Sequence, residues 1–536
     1  MNKVKKNGGS FVKQAAILAV AGILVRLLGF LYRLPLTNMI GDEGNGIYSA
    51  GYYLYNMFLI MSSAGLPVAI SKMVSEKLAL GEYTNAKKIF RTSFFVAGGL
   101  GLICTIAMFL GANAFCKAIG SPRSYYCILT LAPTVFIVSV MAVFRGYFQG
   151  FNSTVPTAIS QIVEQILNAV FSVYLAWILV KTSVELGAAG GTAGTGIGAL
   201  AGLVTLVVIF FTSRKGRMEL FAEDKKDYRV ETSREITSNL FKIAIPVITG
   251  TAIFSMTNLI DMVMVNSRLA AIGTYTAEEI DALYGQLTGK YVTLSTMPVA
   301  ISTALATAVI PSIAGSVVRK EHELVQAKVD TTLRLTMIIS IPAAIGLGAL
   351  GPQILQMLFP NYSDGGMLIR VGSISVVFLA LSQISTGVLQ GVGKVNAPAW
   401  NALWGSIAKI PVNYFLIAIP EINIIGAVIS TTVCYIIASL LNFRALIKAT
   451  GRPDFVGMLV KPSIASIIMG IFSLLSYHLF YKFMPSNLVC TLLAIIVAMV
   501  VFVVAMICVK GFAREDLQMV PMGGKIIRFL EKINRI

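Results

Sequence analysis

The stretch FRGYFQGFNSTVPTA, residues 144–158, has a counterpart in STGVLQGVGKVNAPA, residues 385–399. Gln149-Gly150 stands against Gln390-Gly391 at an offset of 241, and Asn85-Ala86-Lys87 stands against Gln326-Ala327-Lys328 at the same offset. Ile197-Gly198-Ala199 and Ile425-Gly426-Ala427 continue the match at a shorter offset, as a loop of changed length would produce. Two anchors at one offset, in equivalent places, indicate an internal duplication. The fold then depends on what the repeated unit contains.

Composition answers that first. Of 536 residues, 56% are hydrophobic and 13% charged, against about 25% charged in soluble domains, and the mean hydropathy is +0.78. This is the profile of an all-α polytopic membrane protein. A bilayer core needs about 20 apolar residues per helix. Candidate spans fall at 12–36, 46–71, 89–114, 125–148, 155–180 and 193–212, then at 239–264, 286–316, 331–358, 367–391, 397–419 and 422–443, and finally at 459–484 and 487–509. The sequence therefore predicts fourteen transmembrane helices: two pseudo-symmetric six-helix lobes and two additional C-terminal helices. The expected division is an N-lobe over 1–212, a charged cytoplasmic linker over 213–238, a C-lobe over 239–449, the additional helices over 450–512, and a tail over 513–536. In the tail, Ile526, Ile527, Leu530 and Ile533 recur at helical spacing among basic residues, the pattern of an amphipathic segment on the membrane surface. Each copy holds an even number of helices, so both have the same orientation. Parallel repeats of this kind occur in transporters that rock two halves about a central site.

The net charge of +18 would suggest nucleic acid in a soluble protein. Here 31 of the 43 Lys and Arg residues lie on the sides the fourteen-span arrangement makes cytoplasmic, and only 5 on the opposite side. That bias predicts a cytoplasmic-membrane protein with both termini inside, and it accounts for the charge without nucleic acid. The apolar run Phe11 to Leu36 is too long for a cleaved signal peptide. Six cysteines without CxxC spacing and two distant histidines give no disulfide framework and no metal site. No cofactor is expected, although a coupling ion or the membrane potential could drive transport, and the chain is expected to act as a monomer.

Charge inside a span is costly and marks cavities or partners. Arg26 and Arg33 are seven residues apart in the first span, nearly two helical turns, and so share a face. Asn258 and Asp261 share a face of the seventh span, its repeat partner. Gln286, Lys290 and Thr293 form a polar strip in the eighth, and Tyr52, Asn56 and Ser63 a weaker one in the second. A central cavity lined by these helices would be cationic, with Arg26, Arg33, Lys290, Asp261, Asn258 and Asn56 as candidate substrate-binding residues. The bland reading is that Arg33 snorkels to the surface and Lys290 pairs with Asp261. A second group comprises Gln161, Glu164, Gln165 and Asn168 in the fifth span, with Asn401, Lys409 and Asn413 in the eleventh. It reads either as interhelical glue or as ion coupling through Glu164 and Lys409.

VRLLGFLYR (25–33), with Arg26 before Leu28-Gly29-Phe30, and Ile310-Pro311-Ser312 at the end of the eighth span resemble motifs of the MOP exporter superfamily. The resemblance is nearest to the MurJ-type lipid II flippases, in their SpoVB/YtgP-like branch of polysaccharide biosynthesis proteins, and covers essentially the whole chain. Arg33 is displaced by about one position from that pattern, the second span lacks an arginine, and Lys290 stands only near the arginine of the eighth. The resemblance implies an alternating-access flippase in peptidoglycan and cell-wall synthesis. Its cavity would bind the pyrophosphate and sugars of lipid II, and a groove of spans thirteen and fourteen would hold the polyprenyl tail. Flippases for other lipid-linked oligosaccharides and MATE-like cation or drug antiporters are the alternatives, though a MATE-type site would be acidic in the N-lobe. An enzyme would need clustered carboxylates on a large external loop. Asp42-Glu43 and Glu278, Glu279, Asp281 are the only small acidic groups there.

Overall fold

A computed structural model describes residues 2–222, 224 and 228–513. Its first helices are α1 (Asn2–Ser63), α2 (Leu66–Leu80), α3 (Tyr83–Leu110), α4 (Ala112–Ala118), α5 (Tyr125–Gly150), α6 (Val155–Leu179), α7 (Val184–Thr212), α8 (Arg214–Ala222), α9 (Ser233–Ile272) and α10 (Ala277–Gly285). A π-helical segment, Gln286–Val292, leads into α11 (Thr293–Val318) and α12 (His322–Leu358). Then follow α13 (Gly366–Gly372), α14 (Ser375–Gly391), α15 (Ala397–Leu416), α16 (Ile425–Thr450), α17 (Lys461–Phe483) and α18 (Asn487–Cys508). Among the described residues there is no strand, so the all-α expectation holds. The tail, with Ile526, Ile527, Leu530 and Ile533, lies outside the described residues.

All fourteen expected spans are helical over nearly their whole length. By length and hydropathy, ten described helical segments are able to cross a membrane. The count becomes eleven when α13 and α14, bent by 49°, are taken as one. The segment Val20–Leu80 counts once but contains two expected spans. Its break is at Gly41, where φ is 70° within α1. That left-handed conformation is open to glycine at little cost and strains a residue bearing a Cβ.

The chain forms two compact units, Met1–Ser267 with Ala277–Gly285, and Arg268–Thr276 with Gln286–Ile536. The division of contacts thus falls after Ser267 and not in the charged linker at 213–238. Its cause lies in the first half of α9, where Ile236, Leu240 and Ala244 are buried in one core with Leu66, Ile70 and Tyr147. Gly65 makes that approach possible, since a Cβ there would lie 2.5 Å from the Ala244 carbonyl oxygen.

In the first unit, α6 and α7 pack through small residues. A Cβ on Gly194 would meet Ser172 at 2.2 Å, and one on Gly198 the Glu164 carbonyl oxygen at 2.4 Å. Glycines four apart on one helical face let two backbones approach closely in a membrane, where burial gives helices no hydrophobic reason to associate. Ser172 fills the seam, donating to Gly191 O at 2.7 Å and Asn168 Oδ1 at 2.8 Å. In the second unit, α17 and α18 pack on α12, and Asn487 Nδ2 donates to Gln353 O at 3.0 Å.

Candidate functional site

In the first unit, α1 carries both arginines of the expected site. Arg26 is exposed, and among the described residues none hydrogen-bonds or ion-pairs with it. Arg33 is half-buried, its guanidinium 5.8 Å from the centre of the Tyr48 ring. Tyr48, itself buried, stacks on Tyr52 with ring centres 5.8 Å apart and planes at 10°. Tyr52 meets Tyr55 at 5.6 Å. The spacing 48, 52, 55 is that of one helix face, so the sequence builds the aromatic ladder, and the fold across the Gly41 break brings it beside the cation. A ring face carries partial negative charge and holds a guanidinium without neutralising it.

Other expected residues converge here. Tyr53 lies in electrostatic reach of both Arg33 and Asp261 of α9, and Tyr52 of both Arg33 and Glu164 of α6. Asn56 Nδ2 donates to Ser255 Oγ at 3.0 Å, tying α1 to α9, while Asn258 is exposed. Ser63 caps nothing outward: its hydroxyl returns to Leu59 O at 2.7 Å.

Glu164 has a partner that the sequence reading passed over. Arg145 of α5 donates from Nη2 to Glu164 Oε2 at 2.6 Å and reaches Ser160 Oγ at 3.2 Å. A carboxylate expected among amides is instead half of an ion pair. The available signal was Arg145 itself, a cation inside the duplicated FRGYFQG segment.

In the second unit, Lys290 is fully buried in the π-helical segment. Its ammonium donates to Asp364 O at 2.9 Å and lies 5.9 Å from the Phe359 ring centre. Neither Asp364 nor Phe359 was legible as a contact, being some seventy residues away. Next to Lys290, Tyr291 and Ser375 share a 2.8 Å hydrogen bond. Lys409 of α15 is also buried. On the same stripe Asn401 donates to Asn442 Oδ1 at 2.8 Å, and Asn413 accepts from Ser430, so part of this stripe is interhelical glue.

Three of the acidic residues at the expected outer end, Glu43, Glu278 and Asp281, gather on one cation. Arg123 donates to Glu185 at 2.8 Å, to Asp281 at 3.5 Å and to Glu43. These come from α7, α10 and α1. The carboxylates are therefore consumed in a structural clamp, and among the described residues no group of His, Cys, Asp and Glu has a metal-binding arrangement.

The comparisons agree with this architecture. The family model described as "Polysaccharide biosynthesis protein" matches residues 11–317, and the MatE model matches 288–415. The chain is 25% identical to "Stage V sporulation protein B" of Bacillus subtilis (strain 168) over 522 residues, covering 97% of this chain and 99% of that protein. It is 26% identical to "Lipid II flippase MurJ" of the same organism over 471 residues, covering 84% and 85%. Among solved structures, "Lipid II flippase MurJ, inward closed conformation" superposes with a TM-score of 0.68 at 15% identity, covering 91% of this chain and 97% of that one. Of these relatives, the Bacillus subtilis MurJ and the superposed solved structure are named lipid II flippases. With a model matching more than half its length, the chain belongs to the polysaccharide biosynthesis protein family.

Proposed function

We propose that this protein is a flippase that carries a polyprenyl-pyrophosphate-linked sugar precursor, lipid II for peptidoglycan, from the inner to the outer leaflet by alternating access. The observation that carries the reading is Arg26, an exposed cation in an apolar helix with no acidic partner among the described residues. Charge in a span is expensive unless something matches it, and a pyrophosphate moving through the membrane is a matching anion. Arg33 over Tyr48, with Asp261 and Asn56 nearby and Asn258 on α9, supplies a second cation and polar groups for sugars. The similarity to a lipid II flippase over most of both chains supports the same cargo class.

In this reading the fourteen helices form two repeats of six with an added pair. Both termini are cytoplasmic, the protein works as a monomer in the cytoplasmic membrane, and α17 and α18 accommodate the polyprenyl tail. Glu164 and Lys409 are the groups for ion coupling. The match of the MatE model to 288–415 favours a second reading, a cation or drug antiporter. Depletion of the protein, with lipid II exposed at the outer leaflet as the readout, separates them. A flippase for lipid II makes that exposure fall. Undiminished exposure, in cells where no other flippase is active, overturns the cargo assignment and leaves another lipid-linked oligosaccharide or an antiporter.

A further inference from the structure

The first unit holds a cavity of about 640 Å³ away from the tyrosine ladder, between the start of α3 and the start of α9. Lys87, Lys88 and Arg91 line it from α3, and Ser233 and Thr237 add hydroxyls from α9. Thr92 Oγ1 and Ser233 Oγ, 3.5 Å apart, join the two walls.

The carboxylates around this cavity are already engaged. Asp224 accepts from Tyr83 N, Thr84 N and the Tyr228 hydroxyl. Glu82 and Glu231 both pair with Lys77, and Glu235 pairs with Arg229. By contrast, among the described residues no acidic side chain pairs with Lys87, Lys88 or Arg91. Three cations within five residues repel one another, and the cavity has the hydroxyl donors that a phosphate accepts from.

The cavity also has an apolar side. Phe95, 66% exposed, lines it, and Leu102, Ile103 and Ile106 continue an exposed apolar stripe along α3. The basic turn therefore stands where α3 enters its apolar stretch, at the level of lipid headgroups. A soluble phosphate has no use for that stripe, whereas a phospholipid chain does.

We propose that this cavity is a binding site for an anionic phospholipid, its headgroup phosphate held by Lys88, Arg91 and the hydroxyls, and its acyl chain lying along Phe95 and the α3 stripe. The site is peripheral to the cargo residues and independent of what the protein transports. Basic residues at the cytoplasmic membrane surface each contribute a few-fold to anionic-lipid affinity, so removing two should weaken binding about tenfold or more.

The test is native mass spectrometry of the purified full chain in detergent, titrated with phosphatidylglycerol, phosphatidylcholine or inorganic phosphate. The site predicts tighter binding of phosphatidylglycerol than of phosphatidylcholine, about tenfold loss in Lys88→Gln/Arg91→Gln, and retention in the charge-conserving Lys88→Arg/Arg91→Lys. Phe95→Ser should weaken the lipid while leaving the charge intact. Unchanged phosphatidylglycerol affinity in Lys88→Gln/Arg91→Gln overturns the site, and displacement of the lipid by millimolar inorganic phosphate overturns its lipid character. All three side chains are at least partly exposed, and a retained melting profile in the variants checks folding.

Discussion

Arg145 and Glu164 form a 2.6 Å ion pair between α5 and α6, with Ser160 as a shared neighbour. Both side chains are largely buried, at 16% and 27% exposure, so each depends on the other for charge compensation. Removing one partner strands the other, and losing a hydrogen bond to a charged group costs about 2 kcal/mol. Glu164→Gln and Arg145→Gln should each lower the melting temperature, and the double variant should be less destabilised than the sum. Thermal unfolding in detergent measures this. If Glu164 also couples transport to an ion, Glu164→Gln shifts the pH or sodium dependence of flipping. Normal transport at every pH and sodium level confines it to the structural pair.

Gly285 predicts a harsher outcome. A Cβ there would lie 1.7 Å from Asp42 O, and one on Gly46 would lie 1.9 Å from Asp281 O. Helices α1 and α10 thus meet backbone to backbone, beside the Arg123 clamp. Because the obstacle is main chain, no side chain can swing aside. Gly285→Val should cost about 3 kcal/mol or more, seen as loss of folded protein on size-exclusion chromatography. Gly216→Ala, where nothing lies near, is the control and should leave the elution profile unchanged.

These two contacts show why the fold was more legible than the site. Hydropathy is a property of each segment, so the helical stretches could be placed from composition alone, and the duplicated anchors gave their grouping. Close glycine contacts such as Gly46 with Asp281 depend on which helices meet, which no single segment encodes. The same holds for Lys290, whose acceptor is a backbone oxygen at Asp364. Arg33 was legible as a charge in a span, and Tyr48, Tyr52 and Tyr55 share one face of the helix beyond the Gly41 break, so the ladder, though not its place beside Arg33, could have been read from spacing. The division of contacts after Ser267 could not, because it depends on where the half-buried face of α9 finds a partner.

Asp224 gives a prediction in pH. Burial pushes its carboxyl up, but hydrogen bonds from the Thr84 and Tyr228 hydroxyls and from the Tyr83 and Thr84 amides outweigh this and hold it below the ordinary aspartate range. A depressed folded-state value means the stabilisation is present above the unfolded value, about 3.9, and is lost as pH falls through the folded one. The attachment of Asp224 and Tyr228 to the start of α3 should therefore hold at neutral pH and loosen below about pH 4. Hydrogen exchange of the Tyr83 and Thr84 amides reads it directly. Asp224→Asn should expose them at pH 7, whereas protection identical to the parent chain would show that the carboxylate is dispensable there.

Arg26 carries the sharpest test of cargo binding. A pyrophosphate that leaves water must be matched by cations and donors, since desolvated charge is otherwise prohibitive. Arginine suits that role, because its planar fork makes two parallel hydrogen bonds to phosphate and stays charged at physiological pH. Arg26→Lys keeps the charge without the fork, and Arg26→Ala loses both. Since Arg26 is exposed and lacks a described partner, neither change should unfold the protein. Truncating one side of a desolvated charge pair commonly costs about 2–5 kcal/mol, so Arg26→Ala should lower binding of lipid II in reconstituted vesicles by tens-fold or more, and Arg26→Lys should restore part of it. Asp261→Asn, which removes an anion near the Arg33 tyrosines, should give the milder defect, because the cargo's own charge replaces it. A structural pin at Arg26 predicts the reverse order: a lowered melting temperature in Arg26→Ala, with binding and flipping of lipid II by the surviving folded fraction at the parent rate.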